Sequence, residues 1–149
     1  MSNLSKNRRT IVAYALMGLF LWPPPGVSQS PKCDLALKRV VGVQYPWFAR
    51  IAFLQGAVEL VATISRDGGI AEIRTASGPE PLAKPAREAL SKWQFTGCNS
   101  RPAECEATFL FRFVLDGSCG ASENCPTSFE VDLPGEIRVT SKGIRAIVN

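Results

Sequence analysis

The stretch "QYPWFARIAFLQGAVELVATISRDGG", Gln44 to Gly69, changes its apolar period part-way along. Up to Gln55 the pattern is helical. Pro46 suits the first position of a helix, and Gly56 the position just past its end. Between them Phe48, Ile51, Ala52 and Leu54 fall on one helix face. "PWFARIAFLQ" therefore predicts a helix with Phe48 in the core. Trp47, one step round from Phe48, is a candidate partner contact. Beyond Gly56 the period becomes two. Val58, Leu60, Ala62 and Ile64 share one face, and Ala57, Glu59, Val61, Thr63 and Ser65 the other. That is a strand with one better-buried face. Asp67-Gly68 is a tight-turn signal, so Ile70 to Ser77 returns as the antiparallel partner.

Upstream, Val40 to Val43 is a candidate strand. Downstream, "GPEP" breaks the hairpin and "LAKPAREALSKWQF" resumes a helical period. Leu82, Ala86, Ala89, Leu90 and Trp93 make one face. Pro85 is awkward inside a helix, so the regular helix is expected to start at or just before it. Trp93 is expected to pack this helix on the sheet and needs no ligand. "ATFLFRFVLDG" alternates strictly. Phe109, Phe111, Phe113 and Leu115 point one way, and Thr108, Leu110, Arg112 and Val114 the other. Near the C-terminus Phe129, Val131 and Leu133 alternate, Pro134-Gly135 turns, and Ile137 and Val139 alternate again. Ile144, Ala146 and Val148 suggest one more strand. From Tyr45 the order is helix, strand, strand, helix, strand. The expected fold is α+β, a small two-layer sandwich. It has an antiparallel three-stranded sheet, two helices and a C-terminal β-hairpin extension.

The N-terminus reads as a targeting segment. Lys6, Arg8 and Arg9 precede the 13-residue apolar run Thr10–Trp22, and "PPPGVSQS" follows. Basic, apolar and small regions in that order describe a secretory signal peptide. A membrane-spanning helix needs about 20 apolar residues, so an uncleaved inner-membrane anchor is the alternative. Removing residues 1–30 leaves 14 basic residues against 13 acidic, so the net charge falls from +4 to +1. The remaining chain has no basic stripe of the kind phosphate backbones require, and nucleic acid is not an expected partner. The division is residues 1–30 as signal or short anchor, 31–44 as lead-in, 45–117 as the domain and 118–149 as a disulfide loop and hairpin.

Export puts the five cysteines in an oxidising compartment. The close pairs Cys98/Cys105 and Cys119/Cys125 are the economical disulfides, each closing a polar loop, with Cys33 left over. A four-thiolate zinc site is the rival, but six- and five-residue gaps are wider than the usual two to four. No catalytic residue, metal or cofactor is expected. The chain has no histidine, the commonest general base. No glycine-rich phosphate loop appears. Glu59 and Glu72, with Arg74 near, read as surface charges rather than a carboxylate dyad.

An ordered set of residues resembles the C-terminal domain of the TonB family of periplasmic energy transducers. The set is Tyr45-Pro46, Ala49-Arg50, Gly56, the alternation from Val58 to Ile64, Asp67-Gly68, Ser77-Gly78, Leu82, Ala86, Ala89-Leu90, Trp93, Phe95 and the strand Phe109 to Leu115. The resemblance implies a non-enzymatic module that grips an extended segment of an outer-membrane receptor, largely by adding it as a strand to the sheet. In the family that edge lies on the last strand, which here implies Ala107 to Leu115. Thr108, Leu110, Arg112 and Val114 are then the candidate partner-binding residues, with the phenylalanines in the core.

Three features depart from a transducer. Pro23 to Gln44 is 22 residues, at most about 75 Å fully stretched, which is short for crossing a periplasm. The apolar run lacks the family anchor's histidine. Residues 118–149 continue past the usual end. The inner-membrane energy-coupling proteins are therefore not expected as partners, while an outer-membrane receptor peptide or another envelope protein is. Two readings stay open. One is an exported protein-binding module that works by strand addition. The other is an exported envelope domain whose own C-terminal residues cover the sheet edge. A bare edge is a liability that proteins hide, although the extension is equally readable as an independent surface hairpin.

Overall fold

The computed structural model describes residues 35–96, 105–120, 125–132 and 135–145. Its elements, in chain order, are β1 (Leu37–Arg39), α1 (Trp47–Ile51), β2 (Gly56–Ile64), β3 (Ile70–Ser77), α2 (Glu80–Leu90), β4 (Gln94–Phe95), β5 (Cys105–Gly120), β6 (Ser128–Asp132) and β7 (Glu136–Arg145). The main sheet runs β3-β2-β5-β7-β6, and β1 pairs with β4 in a separate two-stranded sheet.

The alternation after Gly56 is realised as read. Val58, Leu60, Ala62 and Ile64 are all fully buried. The hairpin pairs Val61 with Arg74 and Thr63 with Glu72. β5 lies antiparallel on the other side of β2, with Val58 opposite Phe111 and Leu60 opposite Phe109. Phe109, Phe111 and Phe113 thus join the β2 residues on one sheet face. Leu82, Ala83, Ala86, Ala89 and Leu90 of α2 close over that face, and Trp93 fills the space beyond the helix. The Trp93 ring packs against Phe95, Phe109 and Phe111, and its Nε1–H donates to the Val41 carbonyl at 2.8 Å. A buried indole with its one donor satisfied is core.

The sheet itself differs from expectation. It is five-stranded and mixed, where a three-stranded antiparallel sheet is expected from the alternation alone. The C-terminal residues form a β6–β7 hairpin, but the hairpin does not sit apart on the surface. β7 inserts beside β5 and runs parallel to it, from Leu110↔Glu136 to Gly120↔Arg145. β6 then pairs antiparallel on the far side of β7. β6 therefore follows β5 in the chain but lies two places from it in the sheet, with β7 filling the position between them. β5 and β6 are thus two strand spacings apart, about 10 Å. The Cys119–Cys125 disulfide ties the end of β5 to the residues just before β6, with Cα atoms 6.6 Å apart. β5 also runs through residue 117, so the backbone shows no boundary there. Cys105 is disulfide-bonded; Cys98 and Cys33 lie outside the described residues, as do the signal segment and the expected strand residues Leu133, Ala146 and Val148.

Helix α1 is shorter than its apolar pattern suggests. It has five residues and buries only Ala49. Phe48, expected in the core, is 53% exposed, and Trp47 is 65% exposed. The helix ends at Ile51, well short of Gly56, and Phe53, just past its cap residue Ala52, takes a left-handed conformation (φ 51°). A non-glycine residue rarely adopts that conformation without support. The support comes from β7, because the Phe53 ring packs closely against Gly143, where an added Cβ would come within 2.3 Å of the ring. The lead-in strand is Leu37–Arg39, not Val40–Val43. Val43 is nonetheless buried and belongs to the hydrophobic core. Pro85 stands inside α2, which starts five residues before it at Glu80. The five buried residues of the helix face hold the turn together despite the missing backbone bond.

Candidate interaction surface

Three features qualify as places where a partner could dock: the β5 strand, the exposed aromatics at α1, and the outer edges of the sheet. The first carries the residues expected from sequence. Thr108, Leu110, Arg112 and Val114 do share one face of β5, turned away from the helices. Thr108 and Arg112 are exposed, and Leu110 and Val114 half-buried. Arg112 donates through Nε to the Glu136 carboxylate at 3.0 Å. From Leu110 onward, however, the β5 backbone offers no open edge. β2 occupies one side of β5 and β7 the other.

β7 is held on all sides. Ile137 and Val139 are fully buried and belong to the same core as Phe111 and Phe113, which they face across the ladder. Arg50 of α1 donates through Nε to the Lys142 carbonyl at 2.9 Å and reaches Cys119 Sγ at 3.7 Å. The Leu110 N–H donates to the Gly135 carbonyl at 2.7 Å where the hairpin turns back. Fully burying an aliphatic side chain contributes about 1.5–3 kcal/mol. Ile137 and Val139 alone therefore contribute roughly 3–6 kcal/mol, a large share of a small domain's total of about 5–15 kcal/mol. A partner strand at β5 would first have to overcome that.

The exposed aromatics form the second feature. Pro46 and Phe48 face Pro81, Lys84 and Pro85 of α2 across a shallow apolar hollow of ≈ 450 Å³. Beneath them Tyr45 is buried against Phe113, with ring centroids 5.3 Å apart. The Tyr45 hydroxyl donates to the Leu54 carbonyl at 2.6 Å, and burial pushes the phenol up to about 12. Trp47 projects from this corner.

The sheet's outer edges are the third. On β3 most side chains are exposed, and several are already engaged: Arg74 pairs with Glu106 at 3.5 Å, and Thr75 accepts from Arg87. Arg74 thus pairs across β2 with Glu106 of β5, rather than with Glu59 or Glu72. On β6, Phe129 is exposed on the core side, and Glu130 and Asp132 are exposed on the other. Sequence reasoning passed over β6 because its edge position depends on β7 intervening.

Among the described residues no group of three or more His, Cys, Asp or Glu is placed to hold a metal ion. No helix among them is long and apolar enough to cross a membrane.

The family model for the Gram-negative bacterial TonB protein C-terminal matches residues 41–115. The solution NMR structure of the Pseudomonas aeruginosa TonB C-terminal domain is similar at 24% identity and a TM-score of 0.47. That match covers 58% of this chain and 91% of the other. No curated protein matches. The family match ends at residue 115, before the loop, β6 and β7 that complete the sheet. The chain belongs to the TonB C-terminal family.

Proposed function

We propose that this chain is a protein-binding module of the cell envelope, linked to outer-membrane transport, whose β5 edge is permanently filled by its own C-terminal strand. The observation that carries this reading is the parallel β5–β7 ladder, with Ile137 and Val139 sealed into the core. TonB C-terminal domains are non-enzymatic interaction modules that meet outer-membrane receptors. Strand addition at Ala107–Leu115, the mode the family implies, would need β7 to leave at a cost comparable to unfolding. The two readings open in the sequence therefore merge: a binding module whose usual edge is self-covered. Thr108, Leu110, Arg112 and Val114 act in this proposal as an exposed sheet face rather than as a strand edge. Trp47 and Phe48 supply a second surface.

Export is part of the proposal. It is supported by the charged and apolar N-terminal pattern and by the Cys119–Cys125 disulfide, which an oxidising compartment maintains. The test is affinity capture from envelope extract with the chain as bait, followed by identification of what is retained. Outer-membrane receptors or their accessory proteins are expected. A correctly folded bait that retains none of them would overturn the transport link.

A further inference from the structure

We infer that the outer edge of β6 docks an extended segment of apolar–basic–apolar pattern. The inference rests on the proposed function, because β6 becomes the sheet's edge only if β7 stays in place. Among the described residues no strand pairs with β6 on its outer side. Every second backbone N–H and C=O of that strand faces outward, which is the requirement for adding a strand.

β7 shows what β6 accepts. On the inner side Val131, Glu130 and Phe129 stand opposite Ile137, Arg138 and Val139. Side chains of a pleated strand project above and below the sheet, not toward one neighbour. The outer edge of β6 therefore presents the same three side chains to a second strand. Phe129 and Val131 await apolar residues on the core side. Glu130 and Asp132 await cations on the other.

Two further observations favour this occupant. The Phe129 ring is placed in advance. It lies on the backbone at Gly42, where an added Cβ would come within 2.7 Å of the ring, yet the side chain remains exposed. A rigid, half-open aromatic loses little freedom on binding. On the opposite face Glu130, Asp132, Glu136 and Arg138 surround a polar hollow of ≈ 310 Å³. Glu136 is tied to Arg112. Glu130 and Asp132 make no ion pair among the described residues, and they lie nearest to an incoming strand.

The same acids exclude a second copy of this chain. Antiparallel pairing of two β6 strands over their full length sets Glu130 against Glu130. Like charges directly opposite each other destabilise a ladder. The other outer edge, on β3, has no exposed aromatic among the described residues, and its Arg74 and Thr75 are already engaged.

The test is a titration of the isotope-labelled full chain, followed by amide NMR, with two capped synthetic peptides. One has the sequence Ile-Arg-Val-Arg-Ile and the other Ile-Glu-Val-Glu-Ile. The basic peptide is expected to shift the amides of Ser128–Asp132 and Gly42. It should bind at least about fivefold more tightly than the acidic one, as two reversed cross-strand pairs imply. The double substitution Glu130→Lys with Asp132→Lys, on exposed positions that leave the core intact, is expected to reverse that preference. Equal binding of the two peptides, or no shift along β6, overturns the inference and leaves the envelope role standing. Shifts along β5 with loss of the β7 signals would show strand exchange at β5, which overturns the proposed function as well.

Discussion

If β7 is a structural member of the sheet, removing one of its core side chains must weaken the whole domain. Ile137 is the sharpest place to ask. It is fully buried, facing Phe111 on β5 and Val131 on β6. Ile137→Ala deletes three carbons, at about 0.8 kcal/mol each, or roughly 2.4 kcal/mol of lost burial. The cavity left between Phe111 and Val131 adds to that, and the usual range for such a change is about 2–5 kcal/mol. We expect about 3 kcal/mol, and a fall in melting temperature on the order of 10–20 °C. Urea denaturation followed by far-ultraviolet circular dichroism and by tryptophan fluorescence measures it. Both probes should move together, because Trp93 sits in the same core as Ile137. Arg138→Ala, exposed on the same strand, is the control and should change stability by less than about 0.5 kcal/mol. A detachable β7 behaves differently, since its loss would leave the β2–β5 core unchanged. A cost below about 1 kcal/mol with an unaltered Trp93 transition would therefore refute the reasoning.

Three other expectations follow from single contacts. The Tyr45 phenol is raised from 10.0 to about 12 by burial, so the neutral form is favoured on folding. Its contribution is fully present below pH 10 and is lost as pH rises through 12, amounting to roughly 2–3 kcal/mol. In Tyr45→Phe the drop in stability between pH 10 and 12 should shrink accordingly, with about 1 kcal/mol lost at neutral pH from the missing bond to Leu54; an unchanged alkaline denaturation profile would count against burial of the hydroxyl. Pro85→Ala restores a backbone bond inside α2 and should stabilise the domain by about 1–3 kcal/mol, read as a higher denaturant midpoint; a loss would show that the proline ring is needed where it meets the hollow beside Phe48. Replacing Cys119 and Cys125 together by serine opens a loop with sequence separation 6 and should cost roughly 2 kcal/mol by loop-closure entropy, checked by thermal unfolding with and without reductant.

Much of the family domain was legible in the sequence because its signals are local. The alternation Val58–Ile64, the Asp67-Gly68 turn and the phenylalanines of β5 each specify a face or a turn within a few residues, and each lies where the pattern put it. What went unread depends on distant parts of the chain. Nothing in Glu136–Arg145 says that it pairs with Leu110–Gly120 in parallel, since alternation gives a strand its faces but not its neighbours. Phe48 fits a helical apolar face, yet the five-residue helix buries only Ala49, and Tyr45, just before it, is the aromatic that enters the core, against Phe113. Phe53 carries no turn signal of its own, because its left-handed conformation is supported by Gly143, ninety residues later. The surface residues on β5 were placed on the correct face. Their edge was lost to a strand whose partner the local pattern could not name.

Amide hydrogen exchange along β5 and β7 tests the central claim most directly. If β7 is part of the sheet, the amides of the β5–β7 ladder, Leu110–Gly120 and Glu136–Arg145, open only with the β2–β5 core and share its free energy of exchange. Deleting residues 126–149 should then strip the protection from the β5 amides that face β7, or unfold the domain outright. Exchange of the β7 amides several kcal/mol more easily than the β2 core, with β5 equally protected after the deletion, would contradict the account. It would return the β5 edge to the partners the family is built to hold.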